Sequence, residues 1–408
     1  MSETMVIIGA GQAGGQTAET LRRQGYAGRI VLVGEEPHIP YQRPPLSKKF
    51  MAGEMPLERV YFKPPEFFDA ENVELRLKTP ATKFDRERKI VSLCGGDEIK
   101  YDKLMIATGA RVRTINIPGA DLSGVHYLRT IADVEGIQEN FKEGAKLVVV
   151  GGGYIGLEVA AVAVKRGIDV TVLEVADRVL QRVTSPEMSA FFENVHGEEG
   201  VHVRCSTGVT AFEGNGKLEA VVTSTGERLP ADFAVVGIGI LPNVELAEEA
   251  GLEVDNGIVV DEHGQTSDAD IFAAGDCANF PCAVVGRRIR LESVQNALDQ
   301  AKAAAAAMAG KPKAYDEVPW FWSDQYNLKL QMAGLNQGYD QAVTRGDPDD
   351  RRFATFYLKD GVVIAVDAVS SPPDYMVGRE LIAARAKVPP ETLGDPEVSM
   401  KEIRQKYT

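Results

Sequence analysis

The chain has 408 residues, of which 44% are hydrophobic, enough to bury two or three cores and too many for one small domain. A formal net charge of −14 excludes a general affinity for nucleic acid or an anionic membrane surface, because both require a basic face. No apolar stretch is long enough to span a bilayer, and Met1-Ser2-Glu3-Thr4 places no positively charged region ahead of an apolar segment, so a cytoplasmic protein is expected.

The first element is an apolar β run followed by a glycine turn and a helix-forming stretch, Val6-Ile7-Ile8-Gly9-Ala10-Gly11-Gln12-Ala13-Gly14. In this context the glycines permit a tight turn, close approach of the backbone to a pyrophosphate, and close packing of helix on strand. The phosphate then lies at a helix N-terminus, where unpaired N–H groups and the helix dipole favour negative charge. A second β run, Arg29-Ile30-Val31-Leu32-Val33-Gly34-Glu35, puts Glu35 about 20 residues beyond the glycines, the spacing of a carboxylate that accepts from a ribose 2′-OH.

Pro37, Pro40, Pro44 and Pro45 then enforce an extended stretch, and a polar helix is expected to start near Ser47. The loop carries two cations, Arg43 and Lys48, close in sequence to the first nucleotide site. Tyr101 to Ala110 reads as another buried strand, closing in Ala107-Thr108-Gly109. After the turn signal Pro118-Gly119 the opening signature is repeated as Val148-Val149-Val150-Gly151-Gly152-Gly153-Tyr154-Ile155-Gly156, with its own acid at Glu174 after Asp169-Val170-Thr171-Val172-Leu173. Two dinucleotide sites in one chain point to electron transfer between two cofactors.

Short alternating strands follow, among them Glu219–Thr223 and Phe233–Gly239, and Ile271-Phe272-Ala273-Ala274-Gly275-Asp276 is a further apolar strand ending in Gly-Asp. The alanine-rich run from Asn296 to Ala309 has high helix propensity and stops at Gly310 and Pro312. From Pro319 onward the character changes: both tryptophans fall in Pro319-Trp320-Phe321-Trp322-Ser323-Asp324-Gln325, β-like segments follow, and no third glycine motif occurs. The four cysteines, Cys94, Cys205, Cys277 and Cys282, include no Cys-x-x-Cys pair. They read as structural thiols; only Cys277 and Cys282 have a spacing to weigh as a redox disulfide. No metal site is expected.

With these residues assembled, the chain resembles the flavoprotein pyridine nucleotide oxidoreductases of the two-dinucleotide-domain class. Within that class it is similar to the NADH-dependent ferredoxin reductases of the putidaredoxin reductase type, which feed cytochrome P450 or ring-hydroxylating dioxygenase systems. The specific markers are Arg43-Pro44-Pro45-Leu46-Ser47-Lys48, Ala107-Thr108-Gly109, Phe272-Ala273-Ala274-Gly275-Asp276, Glu292-Ser293 with Asn296-Ala297, and Pro319 to Gln325.

The resemblance implies an α/β fold with two Rossmann-like dinucleotide-binding domains, glutathione reductase-like, plus a C-terminal α+β domain. An FAD-binding domain would take residues 1–115 and 245–318, an NADH-binding domain 116–244, and the C-terminal domain 319–408. FAD would be held by Gly9, Gly11, Ala13, Gly14, Glu35, Arg43, Lys48, Ala107, Thr108, Gly109, Gly275 and Asp276. Ser293 and Val294 would stand at the start of a helix aimed at the flavin pyrimidine edge, and Trp320 would flank the flavin. NADH would be held by Gly151, Gly153, Tyr154, Ile155, Gly156, Glu174 and Gly239, with Glu174 disfavouring a 2′-phosphate and Arg178 softening that preference.

Lys48 and Glu158 are the candidate catalytic pair in a hydride transfer from NADH to FAD. Single electrons would then pass to an acidic [2Fe–2S] ferredoxin docking near the C-terminal domain. Arg287-Arg288-x-Arg290 and Arg351-Arg352 are candidate basic spots for that partner. A rubredoxin reductase and a flavoprotein of the apoptosis-inducing-factor kind, acting by macromolecular binding, are the alternatives. A disulfide reductase would need partnered cysteines near the first nucleotide site, where none occur.

Overall fold

The computed structural model describes residues 3–408; Met1 and Ser2, part of the stretch read for a leader, lie outside the described residues. Two compact units make up the chain. The first comprises the chain up to Arg43, Pro56–Arg111 and Leu241–Pro319; the second comprises Pro44–Met55, Val112–Ile240 and Trp320–Thr408.

The apolar run Met5 to Ile8 is buried, as are Ile30 to Val33, Leu104 to Ile106 and Ile271 to Ala273. Runs that are apolar on both faces suit a parallel sheet covered by helices. They build one in the first unit, in the order Val73–Arg76, Arg29–Val33, Thr4–Ile8, Lys103–Ile106, Ile271–Ala273, with every neighbouring pair parallel. The helix Gln12–Arg23 follows the central strand. It shares a core with the alanine-rich helix Val294–Met308, in which Ala18 and Leu21 join Ala301, Ala304 and Ala305.

The second unit repeats this design. Its parallel sheet runs His202–Arg204, Asp169–Leu173, Lys146–Val150, Phe233–Val236, Val125–Tyr127. In both sheets the central strand opens a βαβ unit, the chain steps outward twice, and it returns to the other side through a three-stranded antiparallel meander. The meander is Ala81–Asp85, Ile90–Leu93 and Glu98–Lys100 in the first unit, and Val209–Glu213, Ala220–Thr223 and Arg228–Pro230 in the second. The fifth strand distinguishes the copies, coming after the other four in the first unit and before them in the second.

The second unit also holds a five-stranded antiparallel sheet, ordered Trp320–Gln325, Leu328–Gly334, Val362–Val369, Arg352–Lys359, Gln341–Asp347. The helix Pro372–Ala383 lies on it. Two Rossmann-like sheets and a C-terminal α+β sheet are the architecture expected. No helix among the described residues is long and apolar enough to cross a membrane.

One local expectation is corrected: no polar helix starts near Ser47. Pro44–Ser47 forms a single 3-10 turn, and the chain continues in turns, with Phe50 N–H donating to Pro45 O and Gly53 at φ +69°. A polar helix would face solvent, yet Leu46, Ser47, Phe50 and Met51 are buried. The carboxamide of Gln138 donates to Phe50 O and Met51 O at 2.8 and 3.2 Å, so tertiary bonds replace helical ones.

Candidate functional site

In the first unit three turns gather at the C-terminal ends of neighbouring parallel strands, the edge where open α/β sheets bind ligands. Gly9 has φ +113°, and a Cβ there would lie 2.1 Å from Ala107 O; a Cβ at Gly14 would lie 1.9 Å from Gly9 O. Neither position admits another residue. The helix Gln12–Arg23 is capped by Gly11, with no side-chain acceptor for its N–H groups, and a Cβ on Gly11 would meet nothing within 4 Å. Ala13 is buried, and Gly275 faces it closely enough that a Cβ would stand 3.3 Å from that of Ala13.

The next strand ends in Ala107-Thr108-Gly109, where Thr108 Oγ1 donates to Asn243 O at 2.7 Å and Asn243 Nδ2 returns a bond to Thr108 O at 3.0 Å. Gly275 N–H donates to Gln300 Oε1 at 2.9 Å, and Asp276 O accepts from Arg290 at 3.1 Å. Glu35 is exposed at the end of the adjacent strand. The Arg43 guanidinium pairs with Glu36 at 3.1 Å and lies 5.1 Å above the Tyr41 ring. Burial works against its charge, but Tyr41, Glu36 and Asp276 hold it above the ordinary arginine value.

Ser293 caps the helix Val294–Met308 through a bond from Asn296 N–H to its Oγ at 3.1 Å. Val294 is therefore the first helical residue, with the positive end of the dipole beside it. The turns fit a dinucleotide on two counts. The glycine-capped helix end is open at Gly11, and the buried Asn296 Oδ1 and Gln300 Nε2 have no hydrogen-bond partner, although buried polar atoms are nearly always paired.

The second unit builds the same turn. Gly151 has φ +111°, Gly153 caps the helix Tyr154–Lys165 with no side-chain bond, and a Cβ on Gly156 would lie 2.1 Å from Gly151 O. Ile155 is 44% exposed at this helix end, and Gly239 has φ +107° with open space around it. Glu174 turns back on the loop, its two oxygens accepting from Gly152 N–H at 2.7 Å and Ala176 N–H at 2.8 Å. Each carboxylate oxygen keeps a lone pair for a ribose hydroxyl. Arg178 donates to Gln181 O, Thr184 O and Ser189 Oγ, so its cation is engaged locally. Tyr154 contributes its backbone to the turn, whereas its hydroxyl bonds Met332 Sδ at 2.8 Å and its ring lies 4.9 Å from Phe321.

Glu158 is the fifth residue of its helix, beyond the first turn where the dipole alone would favour an acid. Only 2% of it is exposed. Oε2 accepts from Lys48 Nζ at 2.6 Å and from Ser47 Oγ at 2.5 Å, and Oε1 accepts from Ser323 Oγ at 2.6 Å. The Lys48 side chain keeps 17% exposure. A buried carboxylate thus holds a partly exposed ammonium, an arrangement that fixes a positive charge in place.

Lys48 and Glu158, anticipated as a pair, are brought together. Ser47 and Ser323 were not anticipated as partners. Ser323 and Gln325 share one face of the strand Trp320–Gln325, as its period of two dictates, and that alternation was the signal beneath the more conspicuous tryptophans. Trp320 is half-buried, 5.6 Å from Trp322 and beneath the Arg379 guanidinium at 5.8 Å.

Of the candidate basic spots, Arg290 pairs with Glu292 and Arg351 with Glu198, while Arg288 donates to Val260 O and Asn279 O. All four cysteines are free thiols. Burial pushes Cys277 and Cys282 up from the ordinary thiol range, and Cys277 Sγ donates to Ala274 O and Ile106 O. Inert core thiols follow from that environment.

Residues 3–301 match the family model described as pyridine nucleotide-disulphide oxidoreductase, and residues 320–404 match the one described as reductase C-terminal. The chain is 46% identical over 399 residues to rhodocoxin reductase of Rhodococcus erythropolis, covering 98% of this chain and 93% of that protein. It is 45% identical over 408 residues to putidaredoxin reductase CamA of Pseudomonas putida, covering 98% and 97%. Among solved structures, the covalent putidaredoxin reductase–putidaredoxin complex superposes with a TM-score of 0.97 at 45% identity, covering 99% of this chain and 98% of that one. With two glycine turns, a fixed Lys48–Glu158 pair and no cysteine relay already in place, the chain belongs to the pyridine nucleotide-disulphide oxidoreductase family and, within it, to the ferredoxin reductases of the putidaredoxin reductase type.

Proposed function

We propose that the protein is a cytoplasmic NADH:ferredoxin oxidoreductase. It holds FAD on residues 1–115 and 245–318, binds NADH on 116–244, and delivers electrons to an acidic [2Fe–2S] ferredoxin serving a cytochrome P450 or an oxygenase. Bound FAD supplies the conversion of a hydride into single electrons; the protein supplies position and field. The observation that carries the reading is the pair of open, glycine-capped helix ends in a chain whose cysteines are all unpaired, since electrons then have no dithiol through which to leave.

Gly11 and Gly14 let the backbone meet the pyrophosphate of FAD, Glu35 accepts from its ribose, and Asp276 holds the ribityl chain. Ser293 and Val294 present a helix N-terminus to the flavin pyrimidine, where negative charge gathers on reduction. Glu174 selects NADH by repelling a 2′-phosphate. Lys48, held by Glu158, serves the hydride step as a fixed cation. The partner docks on the C-terminal sheet around Trp320, Trp322 and Arg379, where an acidic carrier meets a cation and two half-buried indoles.

The test has two stages. Anaerobic NADH should bleach the bound flavin rapidly, in a phase that stopped flow resolves, and cytochrome c reduction should then depend on an added [2Fe–2S] ferredoxin. Equal turnover without a carrier, or turnover only with a rubredoxin, overturns the assignment. Glu158→Gln should slow hydride transfer by one to two powers of ten, about 1.4–2.7 kcal/mol, while FAD stays bound; an unchanged rate removes the pair from the mechanism.

A further inference from the structure

Behind Glu158 lies a chain of side chains that the Lys48 contact does not require. Ser323 Oγ accepts from Gln325 Nε2 at 3.2 Å, Gln325 Oε1 stands 2.8 Å from His196 Nε2, and His196 Nδ1 stands 2.8 Å from the Tyr326 hydroxyl. Ser323, Gln325 and His196 are 1%, 1% and 0% exposed. They come from two elements: His196 from the helix Pro186–Glu198, the others from the strand Trp320–Gln325 and the tight turn that follows it, where Tyr326 sits at φ +57°.

The direction of every bond is forced. A carboxylate paired with an ammonium only accepts, so Ser323 gives its one proton to Glu158 and must itself accept from the Gln325 amide. The Gln325 carbonyl then faces His196 and takes the Nε2 proton. That leaves Nδ1 bare, to accept from the Tyr326 O–H. The imidazole is neutral, because burial pushes its pKa down to about 4, and the phenol is protonated, because burial raises its pKa. Four dipoles therefore run head to tail with their positive ends toward Glu158. A primary amide does not pass protons on, so the chain holds a charge in place and conducts nothing.

We propose that Tyr326, His196, Gln325 and Ser323 form a positioning strut for Glu158. The strut fixes Oε1, commits Oε2 to Ser47 and Lys48, and so sets where the Lys48 ammonium stands. Because the strut is anchored in the C-terminal sheet, that sheet becomes part of the cation's support. The proposal rests on the reading of Lys48 and Glu158 given above only for its catalytic consequence, and the geometric claim is tested separately.

The geometric test is the rate at which Lys48 of the holoprotein is acylated by an amine-reactive ester, followed by mass spectrometry. Gln325→Met, close in shape but without an amide, and Ser323→Ala should each raise that rate several-fold. Ser323→Thr, which keeps the hydroxyl, should restore it. Adding Gln325→Met to Glu158→Gln should change nothing further, because the strut acts only through the carboxylate. Unchanged Lys48 labelling in both Gln325→Met and Ser323→Ala, or a full additional rise in the Glu158→Gln background, overturns the proposal.

The same variants should slow hydride transfer about tenfold, with the NADH dissociation constant and FAD content unaltered. If labelling rises as expected while hydride transfer is unaffected even in Glu158→Gln, the strut stands and the catalytic reading of the pair falls.

Discussion

Two buried titrating groups of the second unit act in opposite directions as the pH falls, and their balance can be worked out. Burial lowers the His196 pKa from 6.5 to about 4, so the unfolded chain binds its proton first. Its contribution is present above pH 6.5 and is lost as pH falls through about 4. Asp367, buried and bonded by Thr184 Oγ1 at 2.6 Å and the Tyr357 hydroxyl at 2.7 Å, is raised by burial from 3.8 to about 6. Its contribution is present below pH 3.8 and is lost as pH rises through about 6.

Between pH 7 and pH 5, linkage makes His196 cost about 2 kcal/mol while Asp367 returns about 1.3 kcal/mol. The native protein should therefore lose only about 0.5 kcal/mol over that interval. Asp367→Asn should lose about 2 kcal/mol, and His196→Gln should gain about 1.3 kcal/mol. The assay is urea unfolding of the holoprotein at the two pH values, read by tryptophan emission. Both tryptophans of the chain lie in the strand Trp320–Gln325, so the signal reports the sheet that carries Asp367. At an ordinary urea m-value the Asp367→Asn midpoint should fall by roughly 1 M between pH 7 and 5. Surface carboxylates such as Glu74 and Asp268, held low by arginine partners, are common to all three proteins and cancel. An Asp367→Asn slope equal to that of the native protein refutes the reasoning.

Three further outcomes are expected. Glu174→Ala should narrow the preference for NADH over NADPH by at least tenfold in kcat/KM, since one carboxylate–phosphate repulsion accounts for about 1.4 kcal/mol or more; an unchanged ratio would place the selectivity elsewhere. Arg345, 8% exposed, pairs with Asp374 at 3.0 Å and donates to Leu393 O and Val398 O at 3.3 and 2.7 Å. Arg345→Met should destabilise the C-terminal sheet by about 3–5 kcal/mol, visible as rapid hydrogen exchange and proteolysis after Val388. Double replacement of Cys277 and Cys282 by Ala should leave ferredoxin-dependent turnover within twofold of the native value; loss of turnover would reinstate a thiol relay.

What could be read in advance was whatever is local in sequence. Gly9, Gly11 and Gly14 lie within one turn, and their jobs follow from a spacing any parallel strand–helix junction imposes. The alanine-rich run announced its helix from Asn296 by propensity, whereas Ser293 entered only through the family resemblance and its cap on Asn296 N–H is seen only in the structure. The first meander, Ala81–Lys100, leaves little mark on the sequence because its outer strands, Ala81–Asp85 and Glu98–Lys100, are largely exposed and carry no firm apolar alternation. The polar helix anticipated near Ser47 failed because burial of Leu46 and Phe50 against distant residues outweighs propensity there. The partners of Glu158 come from residues 47, 48 and 323. The alternation along Trp320–Gln325 marks Ser323 and Gln325 as sharing a face, but no local pattern says which distant residues that face meets, which is also why His196 reads as an ordinary residue.

The late fifth strand of the first sheet has a consequence for how the chain comes into being. Ile271–Ala273 pairs with Lys103–Ile106 only after the whole of the second parallel sheet has been synthesised. The Gly275 turn that faces Ala13 arrives with it. On the ribosome, the second nucleotide fold can therefore close while the first remains an open-edged intermediate. Of the two parallel sheets the one begun first is finished second, and a nascent chain arrested before Ile271 presents the unpaired edge of Lys103–Ile106 as a template for wrong strand pairing.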